Sequence, residues 1–477
     1  MKNKIIFFLI FFIFLVGFAR SFYVISHKPI YALANSYDML RLQACHNIMP
    51  ADKIYNDGRG TPDAPLKYYK QVKKQVGECF LSSESFFVYI GISIVKIKSI
   101  FSSENFFDIR IFGLVRLLGL SLFAFFVSYV LYKKGLFVSS SANALLFTII
   151  FSDPGVTIYA NTFYTEYSSI FGLYLSLSFI YLFILLRKKY LLFFAIFGLL
   201  MLGFSKPQHM LLPIVIVALF TIFSYINRAN LQKKIFCSSL ILMVVAFFIL
   251  GVQLYIRDSE INTSIKKANA INTFLFTFSP RAQNKNNLLS YVGLPEKCSL
   301  AIGKNFISIQ EFKENPCPEI IGASRVKLLT YFFKDPKMFL LAIDAGTDRL
   351  RPFLITLYGH IENEKYKHLN NELMTIDNFI KFFSKKVFYF FLCLPIIVPI
   401  LILAFGKLAK LKMEEQFIVF VFPAIMMEVF FISILGDGLG DFGKHNHLSM
   451  VVLFGFYVVL FNWILWKFFI KKLKLKK

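Results

Sequence analysis

About ten apolar stretches, most close to the ~20 residues that cross a bilayer as a helix, set the fold class of this chain. The first runs from Ile5 to about Tyr23. The next six are about Ile111–Leu131, Leu136–Phe151, Ser168–Leu186, Tyr190–Phe204, His209–Ile226 and Ile235–Tyr255. The last three are about Val387–Phe405, Gln416–Leu435 and His447–Trp466. Composition agrees: 57% of the 477 residues are hydrophobic and 17% charged, against about 25% charged in a soluble domain. The expected fold is an all-α polytopic membrane protein of about ten spanning helices. Two long loops interrupt the helices and carry amphipathic segments.

The segments divide the chain into a first helix (1–23), a first long loop (24–110), helices two to seven (111–255), a second long loop (256–386), helices eight to ten (387–467) and a basic tail (468–477). With Met1 in the cytoplasm, the short inner segments hold Lys133, Lys134, Arg187, Lys188, Lys189, Arg228, Lys233, Lys234, Lys407, Lys410, Lys412 and the tail lysines. The short outer segments hold only Lys206 and Lys444. By the positive-inside rule both termini are cytoplasmic and both long loops external. The expected location is the cytoplasmic (inner) membrane. The first apolar run is read as an uncleaved helix. A cleaved signal peptide is the alternative, and it leaves the first loop external too.

The net charge of +25 would suit a nucleic-acid binder, but the basic residues cluster at membrane flanks and no RNA- or DNA-binding motif is present. Cys45 and Cys79 share the first long loop, and Cys298 and Cys317 share the second. Pairs within exported loops suit disulfides, with four free thiols as the alternative.

Polar groups gather on the predicted outer side. Asp38 and Arg41, in Asn35–Arg41, stand three residues apart and share a face on a helix. They are either a general base with a phosphate-binding arginine or a solvated ion pair. Between helices three and four, Asn161, Tyr164 and Glu166 lie in a segment expected to run flat along the outer face. Ser205–His209 contributes Lys206 and Gln208, a lone cation suited to a lipid phosphate or a snorkelling lysine. The glycine-rich turn Gly436–His447 supplies Asp437, Asp441, Lys444 and His445. It is read as a substrate-contacting turn, although two aspartates and a histidine are also donor types for magnesium or manganese. Arg116 falls inside an apolar run and must snorkel or face a polar cavity. Tyr331–Leu341 alternates charge and apolar residues around Pro336, as an amphipathic helix lying on the leaflet does.

This organisation resembles the GT-C superfamily of polytopic glycosyltransferases. The likeness rests on Asp38 in the first exported loop, on Asn161-Thr162-Phe163-Tyr164-Thr165-Glu166 between helices three and four, and on Lys334-Asp335-Pro336 in the second exported region. The first loop lacks the paired acidic residues frequent in that superfamily. The resemblance implies an inverting transferase with a polyprenyl-phosphate-linked sugar donor, a glycan, lipid or protein acceptor, and contact with membrane lipid. It also implies catalytic Asp38 and leaves metal dependence open. In this scheme Glu166 is catalytic as well, orienting hydroxyls with Tyr164 or serving as the base in place of Asp38, while Arg41, Lys206 and Arg116 meet the phosphate. The alternative is a polysaccharide polymerase or lipid-linked glycan transporter. A transporter puts ionisable groups at the midplane, where helices three to ten carry mainly Glu428.

Overall fold

A computed structural model describes residues 2–34, 37–51, 64–73, 79–100, 106–227, 233–257, 262–310, 312, 314–351, 353–355, 359–364, 367–369, 373 and 375–474. Asn35, Ser36, Arg228 and the tail residues Lys476 and Lys477 lie outside them.

The chain is a helical membrane bundle. Helix α1 (Lys2–Ser26) leads into the first loop, which holds α2 (Tyr37–Cys45), β1 (Ile48–Pro50), β2 (Tyr68–Gln71), α3 (Ser85–Ser99) and β3 (Phe107–Asp108). The strands form a small antiparallel sheet in the order β1-β2-β3, with Met49 opposite Lys70 and Tyr69 opposite Phe107. This sheet is an addition to the expected all-α fold. The Cys45–Cys79 disulfide fastens the end of α2 to the segment before α3.

Next come α4 (Arg110–Lys133) and α5 (Phe137–Leu145), which continues as a π-helical stretch to Phe151. Asp153 then accepts a hydrogen bond from Gly155 N at 2.9 Å, and Pro154 fits the first turn of α6 (Pro154–Thr157). There the chain bends by 70°. The segment that follows does not lie on an open outer face as expected. Residues 152–164 are buried beneath the start of the first loop. Their polar groups supply hydrogen bonds that an apolar segment could not.

Helices α7 (Glu166–Leu186) and α8 (Tyr190–Gly203) pack along their length through Gly172 and Gly198. A β-carbon at either glycine would fall 2.4 Å from the opposing backbone nitrogen. Helix α8 has 14 residues, about 21 Å, and stops short of a ~30 Å hydrocarbon core. Its last carbonyls therefore end within the bundle and need donors. Ser83 N donates to Phe204 O (3.0 Å), Ser82 Oγ to Ser205 O (2.8 Å), Ser83 Oγ to Met201 O (2.6 Å) and Gln253 Nε2 to Gly203 O (2.9 Å). The first loop thus closes the end of a short helix, and Lys206 follows directly after that end.

Helices α9 (Leu212–Ile226) and α10 (Lys233–Arg257) lead to the second loop, which holds α11 (Asn262–Ala270), a π-helical stretch (Ile271–Phe278), α12 (Lys285–Val292), α13 (Phe306–Ile309), α14 (Arg325–Tyr331), α15 (Pro336–Arg349) and α16 (Thr375–Lys381). The Cys298–Cys317 disulfide lies within it. Both expected disulfides are formed. The α14–α15 corner is amphipathic as expected, with Val326, Phe333 and Leu340 exposed and Leu328 and Met338 buried. Phe339 stacks on Phe431 (6.1 Å) of α18 (Met413–Gly436), which follows α17 (Lys385–Ala404). A short α19 (Phe442–His445) and α20 (His447–Lys474) complete the chain.

Among the described residues, eight helices are long and apolar enough to cross a membrane, and the bent α5–α6 pair makes nine. The tenth expected span is the short α8. Both long loops and the 153–166, 205–209 and 436–447 turns meet at one face of the bundle. Lys133, Lys134, Arg187, Lys188, Lys189, Lys407, Lys410 and Lys412 lie in the connections at the other.

Candidate functional site

Four separate segments bring their polar residues together at the loop-bearing face. Asp38 sits in the first turn of α2, where a carboxylate is favoured by the helix dipole. Its Oδ1 accepts from Arg41 Nη1 at 3.1 Å, so the expected i, i+3 pair forms. Its Oδ2 pairs with Lys444 of α19, 406 residues away. Lys444 also reaches Asp441 Oδ2 at 3.2 Å and stands 5.6 Å from the Tyr164 ring centroid. Burial pushes the Asp38 carboxyl up, but Lys444 and Arg41 outweigh it and hold the carboxyl well below the usual range. The Lys444 charge likewise lowers Asp441 against burial.

Glu166 is the first residue of α7, two residues earlier than the apolar run suggests. One carboxylate oxygen pairs with Lys206. The other is buried with no hydrogen-bond partner among the described residues. Glu166, Lys206, His209, Lys444, His445 and His447 line a small, narrow cleft, with Ser169, Ile170 and Leu448. His209 Nδ1 lies 3.0 Å from Ser205 Oγ. His447 is held between the Tyr159 and Phe353 rings, each centroid 4.9 Å away. His445 Nε2 is 2.8 Å from Asp437 Oδ2. A wall of lysines and histidines with one half-free carboxylate can hold an anionic oxygen group and orient a hydroxyl beside it.

Several expected contacts play supporting parts instead. Arg116 does not reach the cleft. It is wholly buried, with Nε donating to Glu84 Oε1 at 2.7 Å and Nη1 to Ala160 O at 2.5 Å. A guanidinium inside an apolar helix finds its counter-charge in the protein rather than in a substrate phosphate. Glu84 Oε2 in turn accepts from Ser168 N at 2.8 Å, joining α3, α4 and α7. Asn161 Nδ2 donates to Ile25 O and Tyr31 O, both at 3.0 Å. Tyr164 donates its hydroxyl to Ala34 O at 3.2 Å. These two side chains pin the start of the first loop, a task their polarity suits and their burial denies to substrate. Gln208 is half-buried beside the cleft and is not part of its lining.

The donor set does not fit a divalent cation. Among the described residues, no three His, Cys, Asp or Glu groups stand close enough together to hold a metal ion, those of the cleft included. Asp437 is spent on His445 and on Asn272 Nδ2 (3.1 Å), and Asp441 on Lys444.

Sequence reasoning did not single out Glu84, His209 and His447. An arginine in an apolar run demands a buried carboxylate, and Glu84 in Ser82-Ser83-Glu84-Ser85, directly before the apolar stretch of α3, was available to supply it. The two histidines carry no such signal, because an isolated histidine at a helix end has many uses.

No curated protein and no solved structure matches the chain. The family model of the YfdI N-terminal transmembrane domain matches residues 2–477, so this integral, multi-pass membrane protein belongs to that family.

Proposed function

We propose that the chain is a GT-C-like membrane glycosyltransferase that moves a sugar from a polyprenyl-phosphate-linked donor to a glycan, lipid or protein acceptor. The supporting observation is the convergence of Glu166, Lys206 and Lys444 at a histidine-lined cleft in one face of the bundle, with Asp38 outside its lining but paired to Lys444. A donor of this kind keeps its tail in lipid and presents its phosphate at the interface, and Lys206, just past the end of α8 on the loop-bearing face, is a cation suited to that phosphate.

In the proposed step, the acceptor hydroxyl oxygen attacks the anomeric carbon. The bond from that carbon to the phosphate oxygen breaks, and the hydroxyl proton passes to Asp38. The departing prenyl phosphate keeps the electron pair, and its charge falls on Lys206 and Lys444. Before the donor binds, Lys444 and Arg41 keep Asp38 ionised and weakly basic. A phosphate that engages Lys444 relaxes this hold and makes Asp38 a better proton acceptor as the acceptor arrives. The partner-free oxygen of Glu166 hydrogen-bonds a sugar or acceptor hydroxyl.

The cation-rich connections at the face opposite the cleft support cytoplasmic termini and an external site in the cytoplasmic membrane. Glu428, whose carboxyl oxygens are buried in α18 without a hydrogen-bond partner among the described residues, favours the polymerase or transporter alternative. It stands apart from the cleft residues, and a single midspan carboxyl supplies no route. Transfer of labelled sugar from a short-chain polyprenyl-phosphate donor in membranes carrying the wild-type chain tests the proposal. Label that stays on the donor, with lipid-linked glycan crossing the membrane instead, would replace it with transport.

A further inference from the structure

We infer that Arg281 and Arg349 form an oxyanion-binding subsite beside the cleft, one that takes a phosphate or carboxylate group of the acceptor. Arg281 ends the turn after the Ile271–Phe278 stretch, and Arg349 lies in the last turn of α15. They meet around Phe276. Arg281 Nη1 donates to Thr277 O at 2.6 Å and to Phe276 O at 3.4 Å. The Arg349 guanidinium stands over the Phe276 ring, 5.3 Å from its centroid, while its Nη1 donates to Leu439 O and, at 3.5 Å, to Gly440 O.

Each guanidinium spends only Nη1 in this way. The Nε and Nη2 donors of both have no hydrogen-bond partner among the described residues, and neither arginine is in an ion pair there. The carboxylates whose charge they feel are engaged elsewhere, Asp344 by Lys385 (3.1 Å) and Tyr389, and Asp441 by Lys444. Burial, and then the neighbouring Arg349 charge, disfavours the charged form of Arg281. The half-buried Arg281 and the exposed Arg349, which share Phe276, repel each other, and an anion bound by both would remove the repulsion. Their forked N–H pairs match the oxygens of phosphate or carboxylate. Backbone carbonyls already hold both side chains in position, so binding loses little rotamer freedom.

The location points to the acceptor. Asp441 lies within the field of Arg349 and pairs with Lys444, which lines the cleft. The arginines therefore flank the 436–447 turn on the side of the second loop. This assignment rests on the transferase proposal, in which Lys206 and Lys444 serve the donor and the acceptor needs its own contacts. The anionic group comes either from a phosphate of a lipid-linked glycan or from the carboxylate of an acidic sugar.

The test titrates the purified full chain with inorganic pyrophosphate and with D-glucuronate at constant ionic strength. The variant carries Arg281→Lys and Arg349→Lys together. Lysine keeps the charge and one donor for the carbonyls but loses the fork, so a capping role survives and bidentate recognition does not. The expected result is saturable binding to the wild type, at least ~10-fold weaker in the double variant, with an unchanged unfolding temperature. The Lys206→Ala variant should keep the arginine-dependent binding, which separates this subsite from the cleft. Preference for pyrophosphate identifies a phosphate source, and preference for glucuronate an acidic sugar. Equal affinity in the double variant, or no saturable binding to the wild type, overturns the subsite. Arginine-dependent binding in a protein that transfers no sugar would instead leave the subsite standing and remove its assignment to an acceptor.

Discussion

Arg116→Ala should destabilise the protein severely while a paired apolar replacement should not. The Arg116 and Glu84 side chains are both 0% exposed. Glu84 Oε1 lies 2.7 Å from both Nε and Nη2 of Arg116, and its Oε2 accepts from Ser168 N at 2.8 Å. Burial alone pushes the Glu84 carboxyl up, and Arg116 is the charge that opposes it. Removing the arginine leaves an uncompensated buried acid and an unfilled space, and also frees Ala160 O. Breaking such a pair costs about 3–5 kcal/mol, whereas replacing both partners with packed apolar residues is often neutral. Arg116→Ala should therefore lower thermal unfolding in detergent by many degrees, and Arg116→Met with Glu84→Leu should restore most of it. Because Arg116 lies away from the cleft, the restored double variant should also retain most transfer activity. Single-variant stability within ~0.5 kcal/mol of wild type would refute the burial argument. A stable double variant with no activity would refute the separation of Arg116 from substrate.

Lys206→Ala should raise the donor KM more than it lowers kcat, because its contact exists before and during transfer; steady-state kinetics at varied donor concentration measures this. The Cys45–Cys79 and Cys298–Cys317 bridges span 34 and 19 residues and should contribute roughly 3–4 kcal/mol each by chain entropy. Mass spectrometry of unreduced peptides should find both, and Cys298→Ser should sensitise the second loop to proteases. His46 and His360 are buried neutral, each lowered to about 4, so they stabilise fully above pH 6.5 and lose that contribution as the pH falls toward 4. Asp377, pushed up to about 6 by burial, acts oppositely, its stabilising effect fading as the pH rises from 4 to 6. After correction for the slower intrinsic hydrogen exchange at low pH, protection of the first loop should fall between pH 7 and pH 5, with His46→Gln weakening the change, while in the second loop Asp377 offsets much of the His360 effect. With Cys237 and Cys393 replaced and the disulfides kept, cysteines at Asn287 and Lys188 should label from opposite sides of the membrane.

The helices were legible because a bilayer span leaves a length and a composition that no other structure needs. Helix α18, expected from about Gln416 to Leu435, forms from Met413 to Gly436. The ion pair within Asp38–Arg41 was legible from spacing alone, since three residues make one helical face. Its second partner, Lys444, was not, because only the packed bundle brings two residues 406 apart together. Helix α3 was hidden by its length. Its fifteen residues, broken by three serines and two lysines, fall below a span, and the use of the turn before it in closing the end of α8 depends on a contact that no periodicity records. Asn161 and Tyr164 looked like site residues because polar groups near a membrane rim suggest function. Their burial against Ile25, Tyr31 and Ala34 shows a second use for such groups, satisfying backbone where a loop enters a bundle.

The central claim is that Asp38 accepts a proton during sugar transfer at this cleft. Asp38→Asn keeps the side chain's shape and removes the proton acceptor, and Asp38 is only partly buried, so the variant should fold and reach the membrane. The decisive measurement is the rate of labelled-sugar transfer from a polyprenyl-phosphate donor in membranes holding equal amounts of wild-type and Asp38→Asn protein. The account predicts a loss of about 10²–10⁴-fold. Wild-type rates in the variant would contradict it.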